Sequence, residues 1–207
     1  LPIAGKPMLL QVLETFVASP LIAHCFVVVG ADDGYIDELL ASAPQLHGRV
    51  TVTVLRIGGA TRHMSVLNGL QAMREQVQDH DRVLVHDAAR PGLTIELIAR
   101  LIDAVGEDEV GGLLAMPVVD TLKRAITDQR VQETVSRSSL WAAQTPQLFP
   151  YALLRRALVQ AAEVTDEASA IEAMGLSPKL VVGSARNFKI TLPQDVALAE
   201  LLLKGLP

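Results

Sequence analysis

The chain predicts an α/β fold of three layers: a mostly parallel sheet with helices on both faces, and one β-hairpin standing out as an arm. Three observations carry that expectation. Short apolar runs such as Phe26-Val27-Val28-Val29 suit strands covered on both faces. Segments with apolar residues at helical spacing alternate with them. One stretch, residues 119–138, breaks the alternation with two polar-apolar runs around a polar turn.

In order along the chain, Pro7 suits a first helical position, and Met8, Leu9, Val12, Leu13, Phe16 and Val17 recur at helical spacing up to Ser19-Pro20. A strand over residues 25–29 closes on Gly30, and a short helix carries Ile36, Leu39 and Leu40. The β-branched residues 50–55 predict a strand running into Gly58-Gly59, after which Val66, Leu70, Met73 and Val77 mark a helix. Residues 82–86 give the next strand, Thr94 caps a helix bearing Leu97, Ile98, Leu101 and Ile102, and residues 111–118 give a further strand. The arm pairs Thr121-Leu122-Lys123-Arg124 with Val131-Gln132-Glu133-Thr134-Val135. An isolated hairpin is marginal in water, so its copy in a dimer is the expected partner. Helices from Tyr151 and over residues 166–174, strands over 179–182 and 187–191, and a last helix from Pro193 complete the chain.

Length and composition bound the function. The 207 residues suit one domain over residues 1–207, with residues 118–138 as the dimerisation arm. Half of the residues are hydrophobic, 50%, with mean hydropathy +0.33, yet no apolar run approaches the roughly 20 residues that span a bilayer. The opening Leu1-Pro2-Ile3-Ala4-Gly5-Lys6-Pro7 lacks the pattern of a signal peptide, and the lone Cys25 allows no intrachain disulfide. A cytoplasmic protein is expected. A net charge of −5 and 3% aromatic residues offer no basic face or stacking platform for nucleic acid, so a bound nucleotide would be a small molecule.

Leu84-Val85-His86-Asp87-Ala88-Ala89-Arg90-Pro91 carries the most chemistry, because it throws a carboxylate and a guanidinium off the end of a buried strand. That is where an open α/β sheet keeps its sites. Asp87 can hold a divalent cation and Arg90 can grip a phosphate. The plainer reading, an Asp capping the next helix and an Arg on a solvated face, stands beside it. Gly58-Gly59-Ala60-Thr61-Arg62-His63-Met64-Ser65 joins a strand to a helix, where amides, the Ser65 hydroxyl and the helix dipole suit a nucleotide's sugar or phosphates. It lacks the lysine and spacing of a P-loop. Arg137, Lys189, Thr145 and Thr165 could encircle a phosphomonoester, although each is explained singly as a solvated charge or a cap, Thr165 as a helix N-cap. The five histidines show no zinc spacing, and no glycine-flanked serine forms a nucleophile elbow. His86 reads as a strand-end residue.

The wording and order of several segments resemble one family over nearly the whole chain. To Leu1–Pro7, Gly58-Gly59-Ala60-Thr61-Arg62 and Val85-His86-Asp87-Ala88-Ala89-Arg90-Pro91 are added Asp120-Thr121-Leu122-Lys123-Arg124, Ala143-Gln144-Thr145-Pro146-Gln147, Thr165-Asp166-Glu167-Ala168-Ser169 and Asn187-Phe188-Lys189-Ile190-Thr191. Together they are similar to the 2-C-methyl-D-erythritol 4-phosphate cytidylyltransferases of non-mevalonate isoprenoid synthesis. The resemblance implies a Rossmann-like nucleotidyltransferase fold, and transfer of CMP from CTP to methylerythritol phosphate with magnesium as cofactor. It assigns Asp87 to the metal and the methylerythritol, and Arg90 to the substrate phosphate region. Gly59, Arg62, Ser65 and Ala88 fall on the cytidine side. Arg137 and Lys189 are implied to orient the attacking phosphate, helped by Thr121, Thr145 and Thr165. It also implies a homodimer whose crossed arms bring Thr121 and Arg137 to the neighbour's site.

The family pattern places a glycine-rich loop with an arginine, and a Pro-Lys-Gln-Tyr-like stretch, ahead of the segment matching Leu1. Either truncation or a renumbered chain whose upstream segment is unseen is therefore expected rather than a natural start, and the residues as given are expected to lack the first strand, that loop and most activity. The rival readings are a pentitol-phosphate cytidylyltransferase acting on ribitol 5-phosphate, a non-catalytic nucleotide-binding homologue, and a fused enzyme for which residues 204–207 begin a linker. Ala88-Ala89 before Arg90 and the Thr165–Ser169 stretch favour methylerythritol phosphate over ribitol phosphate.

Overall fold

The computed structural model describes residues 2–161 and 164–203. Leu1 and the suggested linker at residues 204–207 lie outside the described residues. A two-strand turn, β1 (Pro2–Ile3) and β2 (Lys6–Pro7), leads into α1 (Met8–Ala18), with Pro7 as the residue before the helix rather than its first. Then come β3 (His24–Val28), α2 (Ile36–Ala41), β4 (Thr51–Leu55), α3 (Arg62–Ala72), β5 (Arg82–Val85), α4 (Ile95–Val105) and β6 (Gly112–Pro117). The arm is β7 (Leu122–Ala125) and β8 (Val131–Val135). The chain continues through β9 (Trp141–Pro150), α5 (Tyr151–Gln160), α6 (Glu167–Glu172), β10 (Lys179–Val182) and α7 (Asp195–Leu203). Thr61 and Thr94 start α3 and α4 by accepting the amides of Met64 and Leu97, which satisfies donors that a helix start leaves open.

Period-two alternation along the strands separates two apolar layers, as a sheet covered on both faces requires. On β6, Leu114 joins Val12 and Phe16 of α1 and Leu97, Ile98 and Leu101 of α4, whereas its neighbour Leu113 joins α3, α5 and α6. On β9, Leu148 faces the first layer and Phe149 the second. The three-layer arrangement expected from the sequence is present. One sheet has the order β10-β6-β9-β5, and β3 and β4 form a separate parallel pair. Because β9 is antiparallel to both β5 and β6, those two strands share a direction, and β10 is parallel to β6.

The strand β9 is the main departure from the sequence expectation, which assigns no element to residues 141–150. Its composition hides it: Gln144, Thr145 and Gln147 are polar and Pro146 cannot donate to a ladder. The structure absorbs the proline in a bulge. Leu113 pairs with Gln147 and Ala115 with Ala143, so Gln144, Thr145 and Pro146 stand opposite the single Leu114. Such an insertion frees side chains from strict alternation and re-aims them. Residues 187–191 are a second correction, since they form no strand. A 3₁₀ turn over Ala185–Asn187 leads into irregular backbone, because its polar groups are spent sideways: the Ile190 amide donates to Ala89 O, and the Asn187 side chain donates to Thr145 O.

Gly92, between β5 and α4, packs against the 3₁₀ turn at Arg186. A Cβ there would lie 1.9 Å from the Arg186 carbonyl oxygen and 2.7 Å from its carbon, and both are backbone atoms that cannot swing aside. Gly92→Ala is expected to lower stability by about 1–3 kcal/mol in urea unfolding, the usual penalty for forcing volume into a packed site.

Candidate active site

Past Val85 the strand β5 runs out beside the β9 bulge, and the bulge captures the next residues of the chain. The Asp87 amide donates to Thr145 Oγ1 at 3.1 Å, and Thr145 Oγ1 lies 3.0 Å from His86 Nδ1. His86 Nε2 faces the Arg90 carbonyl oxygen at 3.2 Å, so that nitrogen carries the proton and Nδ1 accepts from Thr145. The ring is edge-on to Phe16 of α1. Burial pushes the His86 pKa down to about 4, which keeps the ring neutral. What reads in sequence as a strand-end residue is thus a structural strut under Asp87.

Asp87 is held between two cations. Arg62 Nε donates to its Oδ1 at 2.7 Å, and Lys189 Nζ lies 2.9 Å from its Oδ2. Burial works against the charge of Asp87, yet Lys189 and Arg62 outweigh it and hold the carboxyl below its usual range. The other edge of the Arg62 guanidinium grips Glu167 in a bidentate pair at 2.7 and 2.9 Å, with the Glu167 side chain only 1% exposed. Burial opposes the Arg62 charge too, but Glu167 and Asp87 raise its pKa above the ordinary arginine value. Glu167, Arg62, Asp87 and Lys189 therefore form a line of alternating charges drawn from α6, α3, the end of β5 and the segment after Asn187.

Buried amides fix these elements. Gln147 Nε2 donates to Asp166 Oδ2 and its Oε1 accepts the Ala168 amide, which docks the start of α6 on β9. Asp166, not Thr165, caps α6, in a reciprocal capping box with Ser169. Gln144 joins Ser184, and Asn187, fully buried, donates to Thr145 O at 2.8 Å. The Arg90 guanidinium turns inward, donating to Asn187 O at 2.8 Å and Ala143 O at 3.3 Å. It ties the Lys189 segment to the bulge.

The remaining predicted residues fall into four places. Gly59 and Ser65 close the turn ahead of α3, where the Gly59 amide donates to Ser65 Oγ at 3.0 Å and a Cβ on Gly59 would lie 2.4 Å from that of Met64. Ala88 is exposed beside Asp87, and Thr165 is exposed just ahead of α6. Thr121 and Arg137 flank the arm, both exposed, and among the described residues neither side chain touches the Asp87 group. Sequence reasoning does not single out Glu167, Gln147 or Asn187. Glu167 lies within the Thr165–Ser169 stretch, and only its burial distinguishes it from an ordinary acid in a first helical turn.

The neutral His86 has a consequence for stability. Unfolded, it titrates near 6.5, so between that value and about 4 the unfolded chain binds the extra proton. Its contribution is complete above pH 6.5 and is lost as pH falls toward about 4; Asp87, with a lowered pKa, adds its own loss only below its unfolded value of 3.8. Urea unfolding is expected to show a fall of about 2–3 kcal/mol from pH 7 to pH 4.5, and His86→Asn is expected to flatten that slope.

Comparison with known proteins identifies the family. The family profile of 2-C-methyl-D-erythritol 4-phosphate cytidylyltransferase (IspD) matches residues 1–205. A 2-C-methyl-D-erythritol 4-phosphate cytidylyltransferase of Nitrosomonas eutropha is 50% identical over 206 residues, covering 98% of this chain and 87% of that protein. One of Ralstonia nicotianae is 51% identical over 213 residues, 99% of this chain and 83% of that protein. A crystal structure of 4-diphosphocytidyl-2C-methyl-D-erythritol synthase superposes with a TM-score of 0.89 at 44% identity, covering 98% of this chain and 92% of that one. The chain belongs to the 2-C-methyl-D-erythritol 4-phosphate cytidylyltransferase family.

Proposed function

We propose that this chain transfers CMP from CTP to 2-C-methyl-D-erythritol 4-phosphate, giving 4-diphosphocytidyl-2-C-methyl-D-erythritol and pyrophosphate. The observation that carries the reading is the strand-end Asp87, set between Arg62 and Lys189 at the rim of the sheet in a chain that matches this family over residues 1–205. An oxygen of the substrate phosphate attacks the α-phosphorus of CTP in line. The bond from that phosphorus to the oxygen it shares with the β-phosphate breaks, and the electron pair leaves with pyrophosphate. Such a reaction asks the protein mainly for alignment and charge neutralisation.

Lys189 is exposed between the buried Asn187 and Ile190, and this reading gives its ammonium a phosphate oxygen to hold in addition to Asp87. Arg62 and Asp87 border the turn of Gly59 and Ser65, the side assigned to the cytidine. Thr145 and Arg90 support this rim from behind. Magnesium suits the donor set. This ion is typically held by one or two carboxylates together with substrate phosphates, and Asp87 is a strand-end carboxylate at the rim. Asp87 is the carboxylate that would hold it, and the ion would supply charge neutralisation of the triphosphate.

The arm points to a second copy. Among the described residues the strands β7 and β8 pair only with each other, stapled by Arg124–Glu133 and Lys123–Thr134, and the arm exposes Val119, Ile126 and Val131. Packing on its copy would cover that surface, and this reading makes the chain a homodimer in which Thr121 and Arg137 serve the neighbour's site. Among the described residues no helix is long and apolar enough to cross a membrane. The one thiol, Cys25, is pushed up to about 11 by burial, which leaves it poorly reactive, and the reading assigns the chain to the cytoplasm.

Pyrophosphate release by the full-length protein from CTP with methylerythritol phosphate, compared with ribitol 5-phosphate, tests the reaction. Turnover that needs the first substrate is expected, and equal or faster use of ribitol phosphate overturns the assignment. Asp87→Ala is expected to lower turnover by about 100-fold or more with the fold retained, since charge and alignment at this point serve the transition state. Arg137→Ala mixed with inactive Asp87→Ala should regain part of the activity, because one hybrid site then holds both native residues. Absence of rescue in proven hybrids indicates a site built within one chain.

A further inference from the structure

We propose that Glu167 is a positioning residue for this reaction: it holds the Arg62 guanidinium end-on, so that Arg62 meets Asp87 through Nε alone. The inference rests on the functional reading of Asp87 given above, and it assigns a task to a side chain that would touch neither substrate.

A guanidinium can grip a carboxylate by its two terminal NH₂ groups or by Nε together with one of them. In this site both terminal groups are taken by the two oxygens of Glu167, at 2.7 and 2.9 Å, and only Nε reaches Asp87 Oδ1. Arg62 is 31% exposed and could otherwise turn toward water or take Asp87 side-on. Glu167 is 1% exposed and hydrogen-bonds through its side chain to no other group among the described residues, so its whole polar capacity is directed at this one guanidinium.

Its own place is firmly set. The Asp166–Ser169 capping box and the two bonds from Gln147 fix the first turn of α6 against β9, the strand whose bulge also holds Asp87 by its amide. Backbone and counter-charge of Asp87 are thus referred to one strand. A single bond from Arg62 leaves the carboxylate oriented, whereas a second would compete for the oxygen that Lys189 shares.

The test is Glu167→Gln in the full chain, which keeps the volume and removes the charge. With folding verified by thermal unfolding, kcat is expected to fall by about 30-fold or more, with both KM values changed by less than about threefold, the pattern of lost alignment rather than lost binding. The ¹⁵N-detected Arg62 Nε–H signal should exchange with water about tenfold faster than in the unaltered chain, reporting a released guanidinium. On an Arg62→Met background, Glu167→Gln should change kcat by less than about twofold, since a residue acting only through the Arg62 guanidinium has nothing left to act on.

A folded Glu167→Gln protein with unchanged kcat and Arg62 signal overturns the proposal, and so do losses that multiply in the double variant. If Glu167→Gln does not fold, Glu167→Asp keeps the charge one carbon short and carries the same two readouts with the same meaning. Failure of the unaltered full-length protein to consume CTP overturns the functional reading instead, and the Arg62 signal then decides the positioning claim by itself.

Discussion

The insertion of Gln144, Thr145 and Pro146 into β9 opposite Leu114 is the constraint on which the site depends. A regular antiparallel strand would send alternate side chains into the two apolar layers and leave the end of β5 unsupported. The bulge instead offers three polar contacts at the point where β5 ends. Thr145 receives the Asp87 amide and donates to His86, Gln144 and the Thr145 carbonyl hold the segment ahead of Lys189, and Gln147, the first residue back in register, docks α6. Bulges beside active sites serve this purpose elsewhere, because local loss of pairing is exchanged for side chains aimed at one point.

The electrostatic design builds on that frame. Taking charges out of water is unfavourable unless each finds a partner of opposite sign with good geometry. Here the partners are arranged in a line, so that Arg62 is shared between Glu167 and Asp87, and Asp87 between Arg62 and Lys189. The line is buried at the Glu167 end and open at the Lys189 end, where the Lys189 side chain is 42% exposed. Polar groups fixed before reactants arrive need little rearrangement as charge moves in a reaction, which is why a rigid buried end and an accessible outer end suit phosphoryl-group chemistry. The neutral His86 belongs to the same design, since a charged ring beneath Asp87 would place a further unpaired cation in the interior.

Long periodic elements were legible in the chain because their signal is local. Leu97, Ile98, Leu101 and Val105 recur at helical spacing whatever surrounds them, and all four are buried on one side of the sheet. Asp87 was legible for a related reason: a carboxylate directly after an apolar strand marks the rim where α/β sheets place chemistry. Strand β9 was not legible, because a proline and three polar residues erase its pattern, and only pairing on both sides with β5 and β6 makes it a strand. Residues 187–191 misled in the opposite sense, looking strand-like while the Ile190 amide donates to the turn at Ala89 and the Asn187 side chain donates to the Thr145 carbonyl.

By itself the sequence determined the alternation of strands and helices, the family, and the identity of the strand-end carboxylate with its neighbouring cations. Tertiary structure alone decided what those groups touch: that Arg62 spans Glu167 and Asp87, that Arg90 turns inward to carbonyl oxygens, and that His86 is a neutral strut. The physical reason is separation along the chain. Arg62 and Glu167 lie 105 positions apart and Arg90 and Asn187 lie 97 apart, so their pairing depends on how β9 and α6 settle against the sheet.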